Sequence, residues 1–285
     1  VSTNITKIIW NLNNYCSAKC SYCPSKFWKG DKDKNIELYI DKALFFITHF
    51  NNLGYTIDWT FDGGEPLEIE GLSRLLKTCK KNNGKITLNT NGGYQWLDWW
   101  AIEPNVDYLN LTYHYWQNRS LIKFIIQCFQ KNNKIINVVK PIRPNFFELD
   151  FEEANELEKE INIKVYKTEL YNEASDVQGL YPYSKIQLQM LKGQILVDRA
   201  NHLENTTFAE RIQEQINSNP SFTGKACNTG IERLYISSSG WISGSNCNNT
   251  HIGNIWDEID LPKSASICKM QACVNSDDQQ ITKFL

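Results

Sequence analysis

Three thiols fall in one short loop, Cys16, Cys20 and Cys23, with three and then two residues between them. A Cys-x3-Cys-x2-Cys loop offers three soft thiolate ligands, which suit iron-sulfur clusters and zinc. Three ligands for a four-iron cube leave one iron open, and an open coordination position separates reactive metal centres from structural ones. A structural zinc knuckle is the rival reading, but zinc sites complete four ligands and no fourth Cys or His stands close by. A second group, Cys227, Cys247, Cys268 and Cys273, supplies four thiols near the end of the chain. Four thiolates can close a [4Fe-4S] cluster completely or hold a zinc ion. The remaining pair, Cys79 and Cys128, lies inside amphipathic stretches and reads as core packing.

A glycine-rich turn, Gly63-Gly64-Glu65-Pro66, follows a strand-like stretch some forty residues beyond the first cysteine loop. Glycines allow close backbone approach to a ligand, and a carboxylate can accept from an ammonium. A further turn, Thr90-Asn91-Gly92-Gly93, follows the next strand-like stretch.

These loops need a scaffold. Stretches rich in Ile, Val, Thr and aromatics alternate with helical patterns over the first ~170 residues, the layout of βα units on a parallel sheet. Six strands are expected, at Thr6 to Leu12, Thr56 to Phe61, Lys85 to Asn89, Tyr108 to Thr112, Ile135 to Val139 and Ile163 to Thr168. The helical segments between them run Ile36 to Leu53, Ile69 to Lys81, Tyr94 to Ala101, Ser120 to Lys131 and Leu149 to Glu160. Six units are too few for a closed eight-stranded barrel, so the expected fold is α/β, a partial (β/α)6 TIM-like barrel. Sites in such barrels gather at the carboxyl ends of the strands, where all of these loops map.

Three regions are expected: the partial barrel over 1–172, a helical substrate-shaping segment over 173–222, and a small cysteine-rich β-hairpin domain over 223–285. The middle segment reads as two helices, Ser184 to Leu203 and Phe208 to Asn217. The last opens with a hairpin pattern, Leu234 to Ile236, a Ser-Ser-Ser-Gly turn, then Trp241-Ile242.

Composition narrows the function classes. The 285 residues carry 30 Lys and Arg against 32 Asp and Glu, with no basic block, which argues against nucleic acid as a partner. The sequence has no apolar run of the ~18 residues a membrane span needs, and Val1 to Asn14 lacks a signal-peptide layout. A cytoplasmic protein is expected, where nine cysteines point to metal or redox chemistry rather than disulfides.

The cysteine trio after the first strand, with Tyr22 before its last cysteine and Gly63 to Pro66 after the second strand, resembles the radical S-adenosylmethionine (SAM) superfamily. The resemblance implies that Cys16, Cys20 and Cys23 hold a [4Fe-4S] cluster whose open iron takes the amine and carboxylate of SAM. An electron from a reductant such as a flavodoxin or ferredoxin would then break the sulfonium bond and give a 5'-deoxyadenosyl radical. It further implies that Gly63, Gly64, Glu65 and Pro66 meet the SAM amino group and that Thr90 and Asn91 line its pocket. Thr112, with His114 two residues on, stands where relatives carry Ser-x-Asp, and Arg119 would face the SAM carboxylate. The stretch from Cys227 to Gly253-Asn254-Ile255 looks like the SPASM tail or its shorter twitch form. It implies a second, auxiliary [4Fe-4S] cluster on Cys227, Cys247, Cys268 and Cys273, used in electron transfer.

The implied activity is hydrogen abstraction from a substrate carbon by an oxidoreductase. Only 15 residues precede Cys16, leaving no space for a leader-peptide domain. That tilts the expected substrate toward a small molecule such as a sugar or nucleoside. A peptide maturase forming crosslinks, epimers or oxidised side chains is the alternative, and a non-catalytic iron-sulfur binder a third. Tyr113, His114, Tyr115, Trp116, Glu169, Tyr171 and Glu173 fall at strand mouths, with no acid or base assigned among them.

Overall fold

The computed structural model describes residues 5–23, 28–30, 36–93, 99–172, 179–180, 182–192, 221–245, 247, 251–257, 259–270, 273, 278 and 280–284. The first half is a run of βα units: β1 (Lys7–Asn11), α1 (Ile36–Asn52), β2 (Asp58–Asp62), α2 (Leu72–Cys79), β3 (Ile86–Thr90), α3 (Trp99–Ile102), β4 (Tyr108–Thr112), α4 (Arg119–Lys131), β5 (Ile135–Ile142), α5 (Phe147–Ile161) and β6 (Val165–Glu169). Each strand pairs in parallel with the next, as crossover helices demand.

Alternate residues of these strands face the helices. Trp10, Trp59, Phe61, Leu88, Leu109, Leu111, Val138 and Val165 are buried in one core with Phe46, Leu75, Ile125 and Leu157 from the helices. Trp10 is its hub, edge-on to Phe46 and donating from Nε1 to the Tyr39 hydroxyl at 2.8 Å. Cys79 and Cys128 sit in this core, as expected of free cysteines inside amphipathic helices. The alternate residues Asp62, Asn89, Asn110 and Thr112 lie on the other, concave face and are half-buried.

Beyond β6 come a short hairpin, β7 (Tyr171–Asn172) and β8 (Gly179–Leu180), and α6 (Lys185–Lys192). α6 lies within the expected Ser184 to Leu203 helix; the rest of that span, the expected Phe208 to Asn217 helix and Glu173 lie outside the described residues. Residues 94–98 of the expected Tyr94 to Ala101 helix do too, and α3 ends at Ile102.

The tail does not keep to itself. After β9 (Ala226–Cys227), β10 (Arg233–Ile236) pairs in parallel with β1, from Lys7 opposite Arg233 to Trp10 opposite Ile236. β11 (Trp241–Ser243) and β12 (His251–Asn254) continue antiparallel, so the main sheet has nine strands in the order β12-β11-β10-β1-β2-β3-β4-β5-β6. The hairpin expected in a separate region from residue 223 is therefore an extension of the barrel sheet. A small second sheet orders β13 (Ser266–Ile267), β9 and β14 (Lys283–Phe284). Gly240 closes the β10–β11 turn at φ +83°, and a Cβ there would come within 2.7 Å of both Asn254 and Ile255. That packing seats the hairpin glycine directly against Asn254 and Ile255 of the Gly-Asn-Ile run. Among the described residues no helix is long and apolar enough to cross a membrane.

Candidate functional site

The cysteine loop leaves the carboxyl end of β1 and is fastened to the loop after β2. Gly64 N donates to the Asn13 carbonyl at 2.9 Å and Glu65 N to the Tyr15 carbonyl at 2.8 Å, while Asn13 Nδ2 donates back to the Glu65 carbonyl at 2.8 Å. Gly63 has φ +137°, and a Cβ on it would lie 2.5 Å from the Asn13 carbonyl oxygen. Only glycine tolerates that conformation and that approach. Gly63→Ala should cost about 1–3 kcal/mol through backbone strain and push the two loops apart. Melting temperature and iron retained after desalting should both fall; a variant that keeps its full iron content would show that the loops are not coupled.

Glu65 does something the sequence did not indicate. Its carboxylate is buried and accepts from Leu67 N, Thr90 Oγ1 and Asn91 N, tying the loops after β2 and β3 together. Burial pushes its carboxyl up to about 7, against the pull of those three hydrogen bonds. Three of the acceptor positions of this carboxylate are thereby spent within the protein. Pro66 starts the short turn Pro66–Glu68, whose Glu68 takes Ser17 N at 2.8 Å and Ser17 Oγ at 2.7 Å. Neither Glu68 nor Asn13 was singled out by spacing, since a lone Glu or Asn carries no motif.

Asn91 extends the β3 loop to the thiols, its Nδ2 lying 3.6 Å from Cys16 Sγ. Gln117, also unforeseen, donates from Nε2 to the Asn91 carbonyl and accepts from His114 N, which ties in the loop after β4. The Tyr22 hydroxyl hydrogen-bonds His114 Nδ1, and His114 stacks on Trp116 at 5.6 Å. Burial, with Lys140 nearby, depresses His114 to about 4, so the imidazole is neutral at physiological pH. His114 thus anchors the cysteine loop through Tyr22. Thr112 sits at the mouth of β4, half-buried on the concave face.

Arg119 is the first residue of α4, and its guanidinium pairs with Glu156 at 2.8 Å and Glu160 at 2.9 Å on α5, clamping the two helices together.

No disulfide links any of the nine cysteines, all of which are among the described residues. Cys16, Cys20 and Cys23 are half-buried on their shared loop, where Cys23 N donates to the Cys20 carbonyl at 3.0 Å. Burial, with Glu65 and Glu68 adding to it, raises the Cys16 thiol to about 11. A thiolate there calls for compensating positive charge, which bound iron would supply. In the tail, Cys227 lies within electrostatic reach of Cys268 and Cys247, and Cys273 within reach of Cys268. Burial raises Cys227 and Cys273, while Lys283 opposes the rise in both. Asp278 braces this group by accepting from Cys247 N at 3.1 Å. Among the described residues no group of three or more His, Cys, Asp and Glu converges closely enough for a single metal ion. The thiolate donor chemistry and the burial of these side chains fit a cluster.

No family model and no curated protein matches the chain. Solved structures do. The protein anSMEcpe with bound AdoMet aligns with a TM-score of 0.55 at 16% identity, over 89% of this chain and 78% of that one. It has also been solved with AdoMet and the Cp18Cys peptide, which aligns with a TM-score of 0.53 at 16% identity over the same shares. SuiB of Streptococcus suis bound to S-adenosylmethionine aligns with a TM-score of 0.56 at 14% identity, over 90% of this chain but 64% of SuiB. Against SuiB bound to its precursor peptide SuiA the TM-score is 0.53, at 13% identity, over 90% of this chain and 63% of that one. The nine-stranded, mostly parallel partial barrel is thus a fold shared with these SAM-bound proteins, and the chain has the radical SAM fold.

Proposed function

We propose that the chain is a radical SAM enzyme whose substrate is a peptide. The observation that carries this reading is the backbone fastening of Gly64 and Glu65 to Asn13 and Tyr15, which sets an amine-binding turn beside the cysteine trio. Cys16, Cys20 and Cys23 hold the first [4Fe-4S] cluster. Tyr22, the Gly63-Gly64-Glu65-Pro66 turn, Thr90, Asn91 and Thr112 shape the SAM pocket, and Cys227, Cys247, Cys268 and Cys273 hold an auxiliary [4Fe-4S] cluster. When bound, the clusters supply one-electron chemistry: reductive cleavage of SAM to methionine and a 5'-deoxyadenosyl radical, and an acceptor for the electron an oxidised substrate gives up. The chain's residues orient SAM, bury the cysteine loop and present the substrate carbon on the concave face. The electron would come from a flavodoxin or ferredoxin. Thiolate-held clusters call for a reducing setting, and the proposed location is the cytoplasm.

A peptide displaces a small metabolite as the first choice because structures with the same fold hold the Cp18Cys and SuiA peptides. The short stretch before Cys16 carries no weight against this, since further chain before Val1 would be invisible here. An oxidoreductase acting on a small molecule remains the rival.

Anaerobically reconstituted protein should bind about eight irons, four per cluster, and should form 5'-deoxyadenosine from SAM under dithionite. A pool of synthetic peptides should raise the deoxyadenosine yield and contain a member whose mass changes. Stimulation by a sugar and nucleoside pool instead would restore the small-molecule reading. No deoxyadenosine from reduced, SAM-loaded protein would leave a non-catalytic iron-sulfur binder.

A further inference from the structure

Three asparagines stand in one row across the concave face. Asn89 on β3 is opposite Asn110 on β4, and Asn110 is opposite Asn137 on β5. Their side chains form a head-to-tail ladder: Asn137 Nδ2 donates to Asn110 Oδ1 at 3.0 Å, and Asn110 Nδ2 to Asn89 Oδ1 at 2.7 Å. Asn11 and Asp62 face each other in register on β1 and β2, and Asn11 Nδ2 donates to the Tyr235 hydroxyl on β10.

Asparagine is a poor strand residue, and three of them in central strands forgo the burial that Val or Ile would give. On the opposite face the neighbours Leu88, Leu109 and Val138 are each fully buried. The ladder also leaves complementary groups over: an amide N–H2 on Asn89 and a carbonyl on Asn137, neither with a partner among the described residues. Two inter-strand steps of about 4.8 Å set these ends ~10 Å apart, the length of about three residues of extended chain at ~3.4 Å each. The donor end lies on β3, two residues before the Asn91 that touches Cys16. No basic residue occupies a concave position from β2 to β5, so nothing there selects a phosphate or carboxylate.

We propose that the Asn89–Asn110–Asn137 ladder is the substrate-reading surface, and that it takes about three residues of extended polypeptide through main-chain amides. A peptide carbonyl accepts from Asn89 Nδ2, and a peptide N–H further along donates to Asn137 Oδ1. Side chains are left free to turn toward the cysteine loop. This assignment rests on the peptide reading above.

The test uses the reconstituted holoenzyme with SAM and the probe N-acetyl-trialanine amide, followed by saturation-transfer NMR, with maltotriose at equal concentration as the contrast. The probe should bind and maltotriose should not. Asn137→Ala, at an exposed position, removes one hydrogen bond and should weaken probe binding by roughly three- to tenfold. Asn110→Leu breaks the ladder in the middle and should weaken it more; melting curves check that it folds, and Asn137→Ala decides the matter if it does not. A probe that fails to bind, binds both variants as well as wild type, or is outcompeted by maltotriose overturns the ladder assignment. Wild-type protein that forms deoxyadenosine yet ignores the probe would sink the ladder alone. Protein that binds the probe through these asparagines yet never cleaves SAM would sink the radical reading and leave the ladder standing.

Discussion

Replacing Cys16, Cys20 and Cys23 together by alanine should abolish reductive SAM cleavage and leave about four irons per chain, those of the tail. The loop that carries these thiols is held by main-chain hydrogen bonds from Gly64 and Glu65 and by the Ser17–Glu68 contacts, none of which needs a cysteine side chain. The barrel should therefore survive, and its unfolding midpoint should stay within a few degrees of wild type. Loss of activity should exceed the ~10–100-fold that removal of an outer-shell partner costs a metal site, because the ligands themselves are gone. The tail thiols sit on β9 and the segments around it, within reach of one another and remote in sequence from the trio. Iron content and 5'-deoxyadenosine are read on the same sample. Iron falling to zero would mean that the tail holds no cluster of its own, and cleavage that persists would sink the trio as the reactive centre.

Much of this was legible in the sequence because the relevant signals are local. Tyr108 to Thr112 alternates apolar and polar residues cleanly and is a strand with those same bounds. The cysteine spacing and the Gly-Gly turn are each confined to a handful of residues. What was not legible depends on partners far away in the chain. β10 reads as half of a hairpin, and nothing local says that its other edge pairs with β1 more than two hundred residues earlier. Nothing near Arg119 in sequence says that its position at the start of α4 sets it against Glu156 and Glu160 of α5. Glu65 reads as an acceptor in a turn; its burial becomes visible only once Thr90 and Asn91 are brought to it. β5 was expected over Ile135 to Val139, short of Lys140 and Pro141. The strand runs on to Ile142 because Lys140 finds partners that can be seen only in three dimensions.

That lysine leads to the largest stability effect we expect. Lys140 is fully buried on the helix-facing side of β5, opposite Lys167 of β6, which is also buried. Its Nζ lies 2.6 Å from Glu153 Oε2 on α5 and 4.1 Å from the Tyr113 ring centre, and Tyr113 donates its hydroxyl to the other oxygen of Glu153. Lys167 pairs less closely with Glu158 of the same helix, at 3.4 Å. Glu153→Ala leaves a buried ammonium and a phenol without their acceptor, which should cost about 3 kcal/mol near neutral pH. The double variant Lys140→Met, Glu153→Leu removes both charges in similar volume and should lose much less. Burial lowers the Lys140 pKa even with Glu153 opposing it, and without Glu153 it should fall further. A lysine whose folded pKa lies below its unfolded value destabilises the fold at low pH, and the cost fades as pH rises from the folded toward the unfolded pKa. The gap between Glu153→Ala and wild type should therefore be widest at pH 6 and clearly narrower at pH 9.5, as measured by urea unfolding at both. A gap that does not change with pH would mean that lost packing, rather than an uncompensated charge, sets the cost. A double variant as unstable as the single one would say the same.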